Sequence, residues 1–116
     1  MKLNEIAKIV NAQILIEAGR MSQEIKYAYC ADLMSDVLRR TFDDAMLITG
    51  LANIHSVRTS EMLGINVMMY VRDKLPTKEV LEEAMACGIA VLKCDMTMFE
   101  ASGILYENGI SPLGDM

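Results

Sequence analysis

The dipeptide Gly-Ile occurs three times in the second half of the sequence, and each copy ends a segment with a helical pattern. The copies are Gly64-Ile65, Gly88-Ile89 and Gly109-Ile110. Glycine just past a helix end adopts the left-handed backbone conformation without a Cβ clash, and the next apolar residue packs back on the last turn. Each copy therefore predicts the end of a helix and the approach of a new strand.

Each of these three segments also opens with a short apolar run, at residues 46–48, 67–71 and 90–92. Continuous apolar runs, rather than alternating ones, are typical of parallel strands that are covered on both faces. Strand–helix–strand repeats with short loops give right-handed crossovers and a parallel sheet between helix layers. The sequence therefore predicts an α/β fold, a small three-layer sandwich with a mainly parallel sheet of about five strands flanked by helices.

The first half of the chain supplies the other elements. Apolar residues at positions 3, 6, 7 and 10 have the spacing of an amphipathic helix. Residues 13–16 and 25–31 have strand character, the second run because of its two tyrosines. A short helix follows at Leu33, with Asp32 placed to cap its free amides, and residues 42–44 are expected to form a solvated turn.

The later helices have clearer boundaries. Pro76 and Thr77 start one of them, and its buried face is predicted to consist of Val80, Leu81, Ala84 and Met85. Thr97 and Glu100 form a capping-box pattern at the start of the last helix. Residues 111–116 contain Pro112 and Gly114 and are expected to be a frayed tail without a partner strand. One domain is therefore predicted over residues 1–110, with a C-terminal tail over residues 111–116.

The composition of the chain limits the classes of partner that it is expected to bind. The net charge is −5 and lysine and arginine form no basic face, so nucleic acid is not expected as a partner. No apolar run approaches the roughly 18 residues of a membrane span, and the N-terminus has no signal-peptide pattern; we expect a cytoplasmic protein that does not contact a membrane. An apolar content of 53% with eleven methionines favours a surface covered by a second copy, and hence a homodimer. The alternative is a core that is merely rich in methionine.

The chain has few residues arranged for catalysis. Cys30, Cys87 and Cys94 include no Cys-x-x-Cys pair, so neither a disulfide framework nor a metal site is expected. His55 has no second ligand at helical spacing. The sequence has no phosphate-binding loop in which glycine precedes lysine, no Gly-x-Gly-x-x-Gly and no Gly-x-Ser-x-Gly. We therefore expect no cofactor, no catalytic residue and no enzymatic activity.

A candidate ligand site lies where the parallel strands end, because the usable crevice of an open α/β sheet is beyond the carboxyl ends of its strands. Gly50 lets a ligand approach the backbone, and the amides near Asn53 and Thr97 favour a negative group. A carboxylate at Asp32 opposes that charge, which suggests a ligand with a phosphate and also a hydroxyl or amine. The predicted ligand-binding residues are Asp32, Thr49, Gly50, Asn53 and Thr97. The alternative is that these residues are only caps and turns.

Three parts of the sequence resemble DRTGG-domain proteins: residues 32–38, residues 47–51 together with 58–62, and residues 97–105. The resemblance extends over roughly residues 1–110, although Leu51 stands where the family often has a second glycine. It implies a non-catalytic α/β module. Relatives occur inside some phosphotransacetylases and between paired cystathionine-β-synthase-type domains of regulated pyrophosphatases. Free-standing members are similar to the N-terminal domain of HPr kinase/phosphorylase, without its kinase domain. Others are similar to proteins encoded near iron-only hydrogenases, which implies a redox or hydrogenase-related enzyme partner.

Two function classes follow. The first is a non-catalytic regulatory or protein-interaction module that docks as a dimer on a metabolic or redox enzyme. The alternative is a small-molecule-binding sensor domain for a nucleotide or phosphorylated metabolite. An exposed apolar patch without a polar pocket would favour the first, and a deep crevice at Asp32, Thr49, Gly50 and Thr97 would favour the second.

Overall fold

The computed structural model describes residues 1–39 and 42–113. In chain order its elements are α1 (Leu3–Ile9), β1 (Gln13–Ile16), β2 (Tyr27–Cys30), α2 (Met34–Val37), β3 (Ala45–Thr49), α3 (Ile54–Leu63), β4 (Val67–Tyr70), α4 (Lys78–Ala86), β5 (Ala90–Lys93), α5 (Met98–Glu107) and β6 (Ser111–Pro112). Within the described ranges, no helix is long and apolar enough to cross a membrane.

The strands form one sheet in the order β1-β5-β4-β3-β2-β6. The strands β2, β3, β4 and β5 pair in parallel, which confirms the pairing predicted from the apolar runs. At one edge β1 joins β5 antiparallel, with Gln13 opposite Lys93. The small α/β sandwich with a mainly parallel sheet is confirmed, although the described residues form six strands rather than about five.

The sixth strand corrects the expectation of a tail without a partner strand. Ser111 and Pro112 pair in parallel with Tyr27 and Ala28 of β2. The Ser111 amide donates to the carbonyl of Lys26, and the amide of the residue after Pro112 donates to the carbonyl of Ala28. Proline is tolerated here because it occupies a position of an edge strand that needs no amide hydrogen. Residues 114–116 of the predicted tail lie outside the described residues.

All three Gly-Ile copies close helices in the same way. Gly64, Gly88 and Gly109 have positive φ angles of 73°, 69° and 99°. The amide of the isoleucine that follows donates each time to a carbonyl five residues earlier, as in Ile65 to Ser60, at 2.9–3.0 Å. Each isoleucine is at most 4% exposed. The three junctions therefore reverse the chain from a helix into the sheet by one repeated local device.

Two cores flank the sheet. One contains α1 and α5 against one face, and the other contains α2, α3 and α4 against the opposite face. Side chains of β3 and β4 contribute alternately to the two cores, and every residue of these two strands is buried. Continuous apolar runs thus correspond to central strands with no solvent-facing side.

Two smaller expectations are wrong. Phe42 is buried, not part of a solvated turn, because its ring packs edge-on against Tyr29 at a centroid distance of 6.1 Å. On α4, Val80 and Ala84 are buried but Met85 is 64% exposed. Leu81 packs against the core on this face, whereas Met85, one helix turn further along, is not part of it.

Candidate functional site at the strand ends

The ends of β2, β3 and β4 lie side by side, and the loops that follow them supply a carboxylate, a glycine and a guanidinium. Asp32 follows β2, Gly50 follows β3, and Arg72 follows β4. One oxygen of the Asp32 carboxylate accepts hydrogen bonds from the Gly50 amide at 2.7 Å and from the Thr49 hydroxyl at 3.2 Å. The parallel sheet therefore brings three of the five predicted site residues into direct contact.

The expected capping of α2 by Asp32 is wrong. Leu33 is the first residue before that helix, and no side chain caps the free amides there. The Asp32 carboxylate is already engaged by β3, which offers both an amide and a hydroxyl, and it cannot serve the helix at the same time. This carboxylate fastens the end of β2 to the end of β3.

The second oxygen of Asp32 is paired with the guanidinium of Arg72 at 3.4 Å, and both side chains are nearly half exposed. The guanidinium lies directly over Gly50. A Cβ atom built on Gly50 would stand only 2.1 Å from a terminal nitrogen of Arg72. The missing side chain at position 50 does admit a polar group to the backbone, but in this structure that group is the arginine of the same chain.

The backbone that carries Arg72 is strained. Arg72 and Asp73 both have left-handed conformations, with φ of 58° and 55°. Their amides donate to the carbonyls of Met96 and Cys94 at 2.7 and 2.9 Å, and Lys93 forms an ion pair with the Asp73 carboxylate. Left-handed residues other than glycine persist where the surroundings over-determine them. These contacts hold the loop after β4 against the loop after β5 and direct Arg72 toward Asp32.

The environment of Asp32 keeps it ionised. The Gly50 amide has the largest effect and, with the Thr49 hydroxyl and the Arg72 guanidinium, it lowers the pKa of Asp32 against the opposing effect of partial burial. A carboxylate held in this form accepts hydrogen bonds and offers no proton. Its geometry suits it to fixing loops and orienting a cation.

The other two predicted residues begin helices. The Asn53 side chain accepts the Ser56 amide at 3.1 Å at the start of α3. Thr97 and Glu100 form the predicted capping box at the start of α5, with the Glu100 amide donating to the Thr97 hydroxyl at 3.2 Å. Thr97 follows β5, two strand positions from the end of β3, and no hydrogen bond described joins it to Asp32. The capping alternative therefore holds for these two side chains, and a ligand role for all five residues stays a prediction.

Burial limits what a ligand could touch at this edge. Thr49 is completely buried, and its hydroxyl is used twice, donating to Asp32 and accepting from the Leu51 amide at 3.1 Å. The exposed polar side chains at this edge include Asp32, Arg72 and Asp73, and the caps Asn53 and Thr97. Arg72 is not among the residues predicted for the site, because nothing local in the sequence indicates that its side chain closes over Gly50.

A separate cavity of about 140 Å³ lies between α5 and the β2–β6 edge of the sheet. At its wall the Cys30 thiol and the Ser102 hydroxyl are 3.1 Å apart. The Ser102 hydroxyl donates to the Met98 carbonyl at 2.6 Å, so the thiol is the donor to Ser102. Burial raises the pKa of Cys30. The lining contains no charged side chain among the described residues; it consists of Ala28, Cys30, Ile48, Ser102, Leu105, Tyr106, Ile110, Ser111 and Pro112.

A third group of polar side chains joins α3 and α4. The carboxylates of Glu61 and Glu83 and the thiol of Cys87 lie within 4.8 Å of one another. Burial, together with a hydrogen bond to Glu61 and the charge of both carboxylates, raises the pKa of Cys87 to about 11. The thiol therefore keeps its proton near neutral pH, whereas a metal ligand would be the thiolate. That no metal binds to this chain stays a prediction.

Comparison with known proteins supports the fold and leaves the family open. No family model matches the sequence, and no curated protein matches it. The fold is similar to a crystal structure of the CBS and DRTGG domains of the regulatory region of Clostridium perfringens pyrophosphatase, complexed with the activator diadenosine tetraphosphate, with a TM-score of 0.69 and 17% identity. The match covers 90% of this chain and 45% of that one. This chain thus spans less than half of its structural neighbour, and the likeness concerns the fold.

Proposed function

We propose that this chain is a non-catalytic regulatory module of the DRTGG type that acts in the cytoplasm as a homodimer and docks on a metabolic or redox enzyme, possible partners including hydrogenase-related ones. The observation that carries the proposal is the surface of α5. Phe99 and Tyr106 on this helix are 87% and 70% exposed, and Tyr106 lines an uncharged cavity. Exposed apolar patches bordered by polar residues mark interaction surfaces.

The strand-end edge supports the same preference. Its best acceptor, Asp32, is already occupied by Gly50, Thr49 and Arg72, and its hydroxyl at Thr49 is buried. The cavity that the described residues do form is apolar and lies elsewhere. This is the combination expected of an interaction module, and the regulatory origin of the structural neighbour agrees with it.

Light scattering between about 5 and 200 µM tests the self-association. We expect a mass near twice the chain mass of 12.9 kDa; a mass of one chain throughout would contradict it.

Docking is tested by affinity capture from extracts of the native cells, followed by assay of each captured enzyme with and without added pure protein. A stoichiometric partner whose turnover changes supports the proposal. Capture of nothing, or of enzymes whose rates are unaffected, contradicts it.

A second candidate, a sensor for a nucleotide or phosphorylated metabolite, is favoured by one feature of Arg72. Its guanidinium is 42% exposed and is held by a single ion pair to Asp32 at 3.4 Å, longer than the usual charge-assisted hydrogen bond. A phosphate could replace Asp32 as its partner. The structural neighbour was crystallised with diadenosine tetraphosphate, which makes that compound a natural probe.

Calorimetry with diadenosine tetraphosphate and with ATP distinguishes the sensor from the interaction module. If the sensor function holds, the parent binds, and both Gly50→Val and Arg72→Gln abolish binding, because a side chain at position 50 displaces the guanidinium. Arg58→Gln, at an exposed arginine of α3, serves as the matched control and should bind normally. Binding that survives Gly50→Val would move the site elsewhere, and no binding by the parent would leave the sensor without support from these two ligands.

A further inference from the structure

The two faces of the sheet are covered by unequal numbers of helices. In the described ranges, α2, α3 and α4 pack on one face, whereas α1 and α5 pack on the other. Six strands at a spacing of about 4.8 Å extend over roughly 24–29 Å, and each helix covers about 10 Å. Three helices are enough for such a sheet, but two leave a strip of about 4–9 Å uncovered.

The uncovered strip lies over β2 and β6, and the apolar cavity is its deepest part. On this side the sheet is next to α5, which supplies Ser102, Leu105 and Tyr106 to the cavity wall. The core on this face includes Ala28 and Cys30 of β2 only as partly buried members. The cavity is therefore the place where the helix layer stops before the sheet does.

The size of the cavity selects its occupant. Its volume of about 140 Å³ is close to that of an engineered apolar cavity of about 150 Å³ that binds benzene. Sites for drug-sized ligands have about 300–1,000 Å³, so a nucleotide does not fit. One phenyl ring does.

The chain presents such a ring on the same helix that borders the cavity. Phe99 and Tyr106 are seven residues apart on α5, so they lie on one helix face, and both are largely exposed. Between them on that face are Ser102 and Gly103. A Cβ atom added at Gly103 would meet nothing within 4 Å, so this position faces open space and lets another backbone come near.

We propose that α5 and the β2–β6 cavity form a two-fold interface between two copies of this chain, with Phe99 of each copy in the cavity of the other. When two α5 helices pack antiparallel about an axis between Ser102 and Gly103, Phe99 of one copy stands opposite Tyr106 of the second. Tyr106 lines the cavity. The two-fold axis thus places the Phe99 ring of each copy at the cavity of the other. This is the self-complementarity that an isologous dimer requires. This inference rests on the self-association proposed above and names its surface.

The available area agrees with a second copy as the occupant. Covered Phe and Tyr side chains bury about 150–250 Å² each, so the exposed fractions of 87% and 70% correspond to roughly 240–390 Å² per copy. Two copies contribute about twice that area, roughly 480–780 Å² from these four rings. Such an area corresponds to a small interface of the weak, concentration-dependent class rather than an obligate one.

Sedimentation equilibrium of the full chain tests the surface with a matched pair of truncations. Phe99→Ala is expected to raise the dimer dissociation constant at least about 30-fold, as for a central aromatic anchor. Met85→Ala removes another largely exposed apolar side chain, 64% exposed against 87% for Phe99, from α4 on the opposite face of the sheet, and should change the constant by less than about threefold. Circular dichroism and thermal unfolding of both variants establish that they fold.

A cross-linking experiment tests the axis without relying on affinity. Gly103→Cys is expected to form a disulfide-linked dimer under mild oxidation, because the two positions face each other near the axis, whereas Met85→Cys should stay largely monomeric on a denaturing gel. A dimer that survives Phe99→Ala unchanged, or a Gly103→Cys chain that links no better than Met85→Cys, would overturn this surface but not self-association. A parent that is monomeric at 200 µM would overturn both.

Discussion

A buried pair of hydroxyl groups beneath the strand-end edge leads to a quantitative prediction. Tyr70 and Ser56 are both completely buried, and their oxygens are 2.9 Å apart. The Ser56 hydroxyl has one hydrogen, and it is donated to the carbonyl of Asn53 at 2.8 Å. Tyr70 must then be the donor to Ser56. This chain of two hydrogen bonds ties the central strand β4 to the first turn of α3.

The direction of donation makes the two truncations unequal. Tyr70→Phe removes one hydrogen bond and leaves Ser56 with its own donor still satisfied, which costs about 0.5–1.5 kcal/mol. Ser56→Ala removes both bonds and leaves the Tyr70 hydroxyl buried with no acceptor. A desolvated donor costs about 1–3 kcal/mol, so a loss of about 2–4 kcal/mol is expected.

Urea unfolding of the parent, both single variants and the double variant measures these values, at one protein concentration because self-association would stabilise the folded state. In the double variant no hydroxyl is left unpaired, so its loss of unfolding free energy should not exceed that of Ser56→Ala alone. The two single losses should therefore sum to about 1 kcal/mol or more above the loss in the double variant, and this excess is the coupling. Tyr27→Phe, at an exposed tyrosine of β2 outside the cavity lining, is the neutral control. Costs that add within about 0.5 kcal/mol would refute the coupling, and a larger cost for Tyr70→Phe than for Ser56→Ala would refute the donor assignment.

Three further predictions concern the turns, the acid range and the thiols. Gly64→Ala should cost about 1–2 kcal/mol of unfolding free energy, since φ is 73° there and no neighbour lies within 4 Å to add a clash; an unchanged urea midpoint would contradict this. The pKa of Asp32 is lowered, so its stabilisation is present above about pH 4, the range of a free carboxyl, and is lost as the pH falls through the folded value. The parent should thus lose more stability than Asp32→Asn between pH 7 and pH 2.5, and equal losses would count against it. With a pKa of about 11, Cys87 should be alkylated slowly at pH 8, and Glu61→Gln with Glu83→Gln should accelerate it severalfold; no acceleration would mean that burial alone protects the thiol.

The parts of the fold that could be predicted from the sequence are those set by local signals. A glycine followed by isoleucine after a helical pattern is a local signal for a left-handed residue and a hydrogen bond to the carbonyl five residues before the isoleucine, so the helix ends at Gly64, Gly88 and Gly109 could be predicted. Uninterrupted apolar runs indicate buried parallel strands. The capping box at Thr97 spans only four residues.

The parts that could not be predicted depend on contacts between distant positions. The Asp32 carboxylate accepts hydrogen bonds from Gly50 and Arg72, which are 18 and 40 residues further along the chain. These long-range contacts explain why it bonds to the end of β3 instead of capping α2. Arg72 and Asp73 are left-handed without being glycine, because loop contacts hold them. Pro112 argued against a strand, although the orientation of an edge strand made it acceptable.

The sequence favours an interface with a second copy, which stays a prediction, and it does not say where on the molecule that interface would lie. The apolar content of 53% signalled a covered surface, yet it does not say which helix carries it. Phe99 and Tyr106 have the spacing of a buried helix face, and only the count of helices on each side of the sheet reveals that none of the helices in residues 1–39 and 42–113 lies above this face.

The position of β1 in the sheet has a consequence for synthesis of the chain. Gln13 pairs with Lys93, 80 residues later, and Tyr27 pairs with Ser111 at the other edge. At about 5–20 residues per second on the ribosome, β1 waits roughly 4–16 s for its partner strand to be made. Until then the core that covers the apolar side of α1 lacks the side chains of β5 and α5, so part of that apolar side stays open to chaperones. The three Gly-Ile units, each closed locally, have the contacts to collapse first, so the N-terminal segment is expected to be the last part of the chain to become protected from hydrogen exchange.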